Sequence, residues 1–183
     1  LQLSRATQSE MEVSRLNISQ LVQKIVDELK QQDELRQVEF IVQPEVYAEV
    51  DRRIITMLFS NLLANAWKYT SKQEQATIEF GEYFEDSGQQ VLFIKDNGAG
   101  FDMKYANRLF SPFTRLHTQD EFEGIGIGLA TVQRIVARHG GHIWTEAATG
   151  EGAAFFFTLW EKHSLRAGGE RSGLPKLDDL IEP

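Results

Sequence analysis

The sequence contains no cysteine, which excludes disulfides, thiolate metal centres and cysteine nucleophiles. Proline is scarce, with four in 183 residues, so little of the chain is barred from regular hydrogen-bonded structure. No run approaches the roughly 18 apolar residues that a membrane span needs. Basic residues are outnumbered, 19 against 27 acidic, and the net charge of −8 argues against a duplex-binding surface. The first residue is Leu1, with no Met, basic leader or cleavage site, so the sequence reads as a piece of something longer. What is present suits a soluble globular domain: 42% hydrophobic and 25% charged residues, with twelve Phe to fill a core.

Periodicity divides the chain. Residues 1–16 are polar with sparse apolar positions and read as the end of a helix followed by a connector. Asn17 or Ser19 then caps a helix whose apolar residues, from Ile18 to Leu29, fall on one face. Short β-like runs follow at 38–42 and 46–50, separated by the turn signal Gln43-Pro44-Glu45. A helical period returns from 51 to about 70, and strands are expected at 77–84 and 91–96. Little regular structure is expected over 97–128. A helix at 129–138 stops at Gly140-Gly141, two strands follow at 142–146 and 153–159, and the segment after Trp160 has no period and reads as a disordered tail. Helices and strands in mixed order, with hairpin-like strand neighbours, predict an α+β domain with one layer of helices on one sheet. The consecutive Phe155, Phe156 and Phe157 alternate faces in a strand, which directs at least one of them into the core.

Four segments hold the residues capable of chemistry. Asn61, Asn65, Lys68 and Lys72 are spaced i, i+4, i+7 and i+11, one stripe beside the apolar face of their helix. Two carboxamides and an ammonium there can hold a divalent cation and phosphate oxygens, though spacing alone fits a solvated face better. Asp96-Asn97-Gly98-Ala99-Gly100 puts a carboxylate and two glycines at a strand end, which also fits a plain turn. Gly124, Gly126 and Gly128 open a helix, where backbone amides can meet an anion. Their G-x-G-x-G spacing is neither a dinucleotide fingerprint nor a Walker loop.

Taken together, NLLANAWKYT (61–70), DNGAGFD (96–102), LFSPFTRLH (109–117) and GIGIGLA (124–130) resemble, in order and separation, the N, G1, F and G2 boxes of the histidine-kinase ATP-binding domain. That domain belongs to the wider GHKL group of gyrase, the heat-shock chaperone, MutL and sensor kinases. HGGHIWTEAATGEGAAFFFTL (139–159) resembles the end of the same domain, with a likeness to soluble phytochrome-type kinases. The resemblance covers about residues 17–160. It implies the Bergerat fold, a two-layer α/β sandwich with a mixed sheet of about five strands under about three helices.

The resemblance also assigns roles. Asn65 would ligate the Mg²⁺ that bridges the ATP phosphates. Asn61 stands where ATP-hydrolysing relatives carry a glutamate that activates water, and an amide cannot take that proton. Phosphoryl transfer is therefore favoured over hydrolysis, with Asn61 and Arg115 as the catalytic pair. Lys68 would meet phosphate and Tyr69 the adenine. Asp96 would accept from the adenine amino group, and Gly98 and Gly100 would shape the pocket. Arg115 would reach the γ-phosphate, where a guanidinium matches the charge spread over the oxygens. Gly124, Gly126 and Gly128 would let a lid, spanning 111–123, fold over the phosphates, and Leu129 would border the nucleotide. Phe110 and Phe113 would pack the base of that lid.

The implied reaction donates the γ-phosphoryl group of ATP to a His on a dimerisation hairpin, of which residues 1–16 resemble the last part. A response regulator would be the next acceptor. The histidines here are followed by Thr118, Gly140, Ile143 and Ser164, so none stands in a phosphoacceptor box. His139, near a helix C-terminus, suits a cation facing the helix dipole. A cytoplasmic setting, a homodimeric full-length kinase and a monomeric or weakly dimeric fragment are expected. Nucleic acid is not an expected partner. The alternatives are a GHKL-type ATPase, a serine-kinase relative such as an anti-sigma factor, and a degenerate partner-binding domain.

Overall fold

The computed structural model describes residues 11–114 and 126–160. Chain order is β1 (Val13–Asn17), α1 (Ile18–Gln32), β2 (Val38–Val42), β3 (Tyr47–Asp51), α2 (Arg52–Tyr69), β4 (Ala76–Phe84) and β5 (Gln90–Asp96). A 3-10 turn (Met103–Arg108), α3 (Gly128–Arg138), β6 (Ile143–Ala148) and β7 (Gly152–Thr158) complete it. Five strands form a sheet in the order β2-β4-β5-β7-β6, and β1 and β3 form a separate two-stranded ribbon. Only β2 runs parallel to its neighbour, so the sheet is mixed. The α+β expectation, with five strands and three helices, holds.

Each helix forms where sequence periodicity places an apolar stripe. The Asn17 side chain caps α1 by accepting the Gln20 N–H at 3.0 Å. The fully buried Phe59 of α2 meets Phe80 and Phe157 of the sheet edge-on, with centroids 5.5 and 5.8 Å away. Phe155 and Phe157 face this core, while the half-buried Phe156 points to the other face and stacks on Trp144. The alternation expected of the three phenylalanines is therefore observed. Among the described residues no helix is long and apolar enough to cross a membrane.

Two local expectations are corrected. The stretch entering α1 ends in strand β1, which pairs antiparallel with β3, Leu16 opposite Ala48. Leu16, Ala48 and Val50 are buried, so the ribbon hides apolar side chains while its backbone groups satisfy one another. Residues 1–10, the rest of the expected connector, lie outside the described residues. The neighbouring runs β2 and β3 do not form a hairpin, because the turn between them is held on the start of α1. Ser19 Oγ donates to Gln43 C=O at 2.6 Å and accepts from Val46 N–H, and the Ile18 N–H donates to Val46 C=O. The described residues of 97–127 hold little regular structure, as expected, apart from the 3-10 turn, which Asp102 caps through the Lys104 N–H. The tail after Trp160 is outside the described residues.

Candidate functional site

Helix α2 starts from Asp51, whose carboxylate accepts the N–H groups of Arg53 and Ile54, and ends at the buried Thr70. Thr70 Oγ donates to Ala66 C=O at 2.7 Å and receives Arg36 Nη2 at 2.8 Å, which satisfies that end of the helix. With both ends fixed, the apolar stripe from Ile54 to Ala66 is buried, and Asn61, Asn65 and Lys68 line its margin half-buried. Asn61 Nδ2 donates to Met57 C=O at 2.7 Å. Lys68 Nζ stands 4.2 Å from the Tyr69 ring centroid. Lys72 falls past the helix end, in the turn that follows, so the stripe closes at Lys68.

The loop after β5 lies on the C-terminal end of α2. The Ala99 N–H donates to the Tyr69 carbonyl at 3.0 Å, and a Cβ on Gly98 would come 2.5 Å from that same oxygen. Gly100 adopts φ +56°, and a Cβ there would lie 2.0 Å from Ala148 C=O, so glycine is required on both counts. Asn97 anchors the loop to β4, accepting the Thr77 N–H and donating to Gln75 C=O.

Asp96, only 5% exposed, ends β5 on the helix-covered face. Burial pushes its carboxyl up to about 6, against the pull of the Gly98 and Ala153 backbone N–H groups. A carboxylate so withdrawn from water suits one strong external donor.

Glycines also set the other wall. Gly126 C=O accepts the Phe113 N–H at 2.9 Å, and Gly128 opens α3. A Cβ on Gly128 would sit 2.8 Å from Asn61 Oδ1, so the start of α3 rests against α2. Among the described residues no side chain caps α3, and leading amides at such a helix start can meet an anion. Leu129 is half-buried beside them. Phe110 packs on the core as expected, but Phe113 is 73% exposed. Its φ of +63° and its bond to Gly126 turn the ring outward instead. Arg115, Gly124 and most of the expected lid lie outside the described residues.

His139 is also corrected. It caps α3 at the C-terminal end, but it is fully buried, and burial lowers its pKa and favours the neutral ring over a dipole-facing cation.

The structure thus joins Asn61 to Gly128, Tyr69 to Gly98 and Ala99, and Gly100 to the β6–β7 turn. Sequence reasoning missed Gly152, with φ +96°, where a Cβ would come 2.0 Å from Asp96 C=O. Its signal was the Gly150-Glu151-Gly152 turn, visible as a turn but silent about the strand end it meets. Among the described residues no group of three or more His, Asp and Glu side chains forms a metal cage. A magnesium ion that keeps its waters and phosphate ligands fits one amide oxygen, such as that of Asn65, better than a protein cage.

Comparison with known proteins bears on the family and the fold. Residues 50–163 match the family described as histidine kinase-, DNA gyrase B-, and HSP90-like ATPase. The chain is 44% identical to cyanobacterial phytochrome A of Nostoc sp. over 106 residues, 57% of this chain and 14% of that protein. It is 34% identical to the phytochrome-like protein Cph1 of Synechocystis sp. over 143 residues, 78% of this chain and 19% of that one. The chain therefore spans less than a quarter of the length of these relatives. The solved catalytic domain of the histidine kinase ThkA superposes with a TM-score of 0.66 at 25% identity, over 81% of this chain and 95% of that one.

Proposed function

The chain belongs to the histidine kinase-, DNA gyrase B-, and HSP90-like ATPase family, and from that premise we propose that it is the ATP-binding catalytic domain of a two-component sensor histidine kinase. The observation that carries the reading is the seating of the Asp96 loop on the end of α2, with the start of α3 against Asn61. A buried base-reading carboxylate and an anion-accepting helix end thereby flank one stripe of amides and an ammonium.

In this reading Asp96 accepts from the adenine amino group, Tyr69 lies against the ring, and Gly98 and Gly100 leave room for it. Lys68 and the leading amides of α3, at Gly128 and Leu129, meet the phosphates, and Gly126 lets the chain turn over them. Asn65 holds Mg²⁺, which when bound screens the phosphate charge. Arg115 and Gly124 are assigned to the γ-phosphate and the lid on their place in the motifs. Asn61 has no basic atom for activating water, so the γ P–O bond breaks with ADP leaving as a new P–N bond forms to an imidazole.

The acceptor is a His on a hairpin of the same or a partner chain, and a response regulator follows. Residues 1–16 supply the link from that hairpin, 17–160 the catalytic domain and 161–183 a tail. The full-length kinase acts as a homodimer in the cytoplasm, and this fragment is a monomer or weak dimer.

Calorimetric titration with ATP and ADP, with and without Mg²⁺, tests the site. Saturable binding that Mg²⁺ changes and Asp96→Asn removes supports the reading. Absence of binding by the folded wild type refutes it.

A further inference from the structure

Asp51 is a buried carboxylate, 1% exposed, whose two oxygens serve different elements. Oδ1 accepts the N–H groups of Arg53 at 2.9 Å and Ile54 at 3.3 Å, which caps α2. Oδ2 accepts the Glu12 N–H at 3.0 Å and Arg53 Nη2 at 3.1 Å, which ties down the backbone just before β1, where Val13 faces Asp51 across the ribbon. A helix cap needs only the first of these oxygens.

The helix that starts here is one rigid rod of 18 residues, about 27 Å long, and it carries Asn61, Asn65 and Lys68. Its far end bonds the Asp96 loop through the Tyr69 carbonyl. The ribbon holds the second site helix as well. Trp160 Nε1 donates to Glu49 C=O of β3, and the Trp160 N–H donates to the carbonyl of His139, the C-terminal cap of α3. Both helices that border the candidate phosphate site are thus fastened at their distal ends to the ribbon that residues 12–17 enter.

We propose that Asp51 is a positioning residue that couples the docking of β1 to nucleotide binding on α2, one oxygen seating the helix and the other the entering strand. The inference rests on the ATP-binding reading. The coupling requires only that a nucleotide bind better when the strand is docked, as it is here against β3, than when it is released. By thermodynamic reciprocity the docked strand then tightens nucleotide binding by the same factor.

Amide hydrogen exchange with Mg²⁺ and ATP as the probe tests this, with binding measured on the same samples by calorimetry. In the wild type, ATP is expected to slow exchange across residues 12–17 several-fold. Serine caps helices well but offers one oxygen, so Asp51→Ser is expected to bind ATP severalfold more weakly and to lose the ATP-dependent slowing at 12–17. A merely structural role would speed exchange with and without ATP alike and leave the ATP-dependent difference in place. ATP binding that leaves 12–17 unchanged in the wild type overturns the coupling, a result that needs no variant to fold. Full ATP-dependent slowing in Asp51→Ser overturns the role of Asp51. No ATP binding at all by the folded wild type overturns the nucleotide reading itself, and the coupling with it.

Discussion

Asn61 Oδ1 occupies the space beside Gly128, 2.8 Å from where a Cβ would be built, while Asn61 Nδ2 is held by Met57 C=O. Swinging the amide away breaks that bond, so a side chain at position 128 would have to displace Asn61. Gly128→Ala is expected to cost about 1–3 kcal/mol, the usual range for overpacking. Asn61→Ala in the same chain should recover much of that loss, because it removes the obstructing atom. Thermal melting of the two single variants and the double variant checks this, and simple addition of the two losses would contradict it.

Asp96 trades stability for recognition. Its carboxyl titrates at about 6 in the fold, against 3.8 as the reference value. The folded state therefore binds the proton more tightly, and the stability this gives is present below pH 3.8 and lost as pH rises through 6. At neutral pH the buried charge costs on the order of 3 kcal/mol. Relative to Asp96→Asn, the nucleotide-free wild type should gain in Tm as pH falls from 7.5 to 5. ATP affinity should move oppositely, weakening below pH 6 as the acceptor is protonated.

His139 works in the reverse sense. Nδ1 lies 2.8 Å from Ile135 C=O and donates to it, which leaves Nε2 buried with no hydrogen-bond partner among the described residues. Burial lowers the pKa of the ring, partly opposed by that carbonyl. The unfolded chain then takes up the proton first, so stability is complete above pH 6.5 and falls as pH drops below it. In an Asp96→Asn background, melting temperature is expected to fall between pH 7.5 and 5, and His139→Leu should flatten that slope.

Phe59→Ala empties the space between Phe80 and Phe157. A loss of about 3–5 kcal/mol is expected, read as a lower denaturant midpoint with an unchanged slope. A loss below about 1 kcal/mol would mean that the helix layer collapses freely onto the sheet.

Much of the fold was legible in the sequence, since helix and strand leave their own periods. Ile18 to Leu29 and Ile54 to Ala66 mark buried helical faces, Asn17 announces its cap, and Phe155 to Phe157 show the alternation of a strand. The site was legible only as four motifs in order. The exposed Phe113 was not, because its left-handed backbone follows from the hydrogen bond to Gly126.

The sequence by itself determined local structure and chemical inventory: which segments are helices, which residues can carry charge, and that amides rather than carboxylates line α2. These follow from interactions among near neighbours in the chain. The tertiary structure alone decided that β3 leaves β2 to pair with β1, that Gly152 meets the Asp96 backbone, and that Asp96 titrates near 6. It also decided that the second oxygen of Asp51 is spent on Glu12. Pairing, close approach and desolvation depend on which distant segments share a place, and that is settled only when the whole core closes.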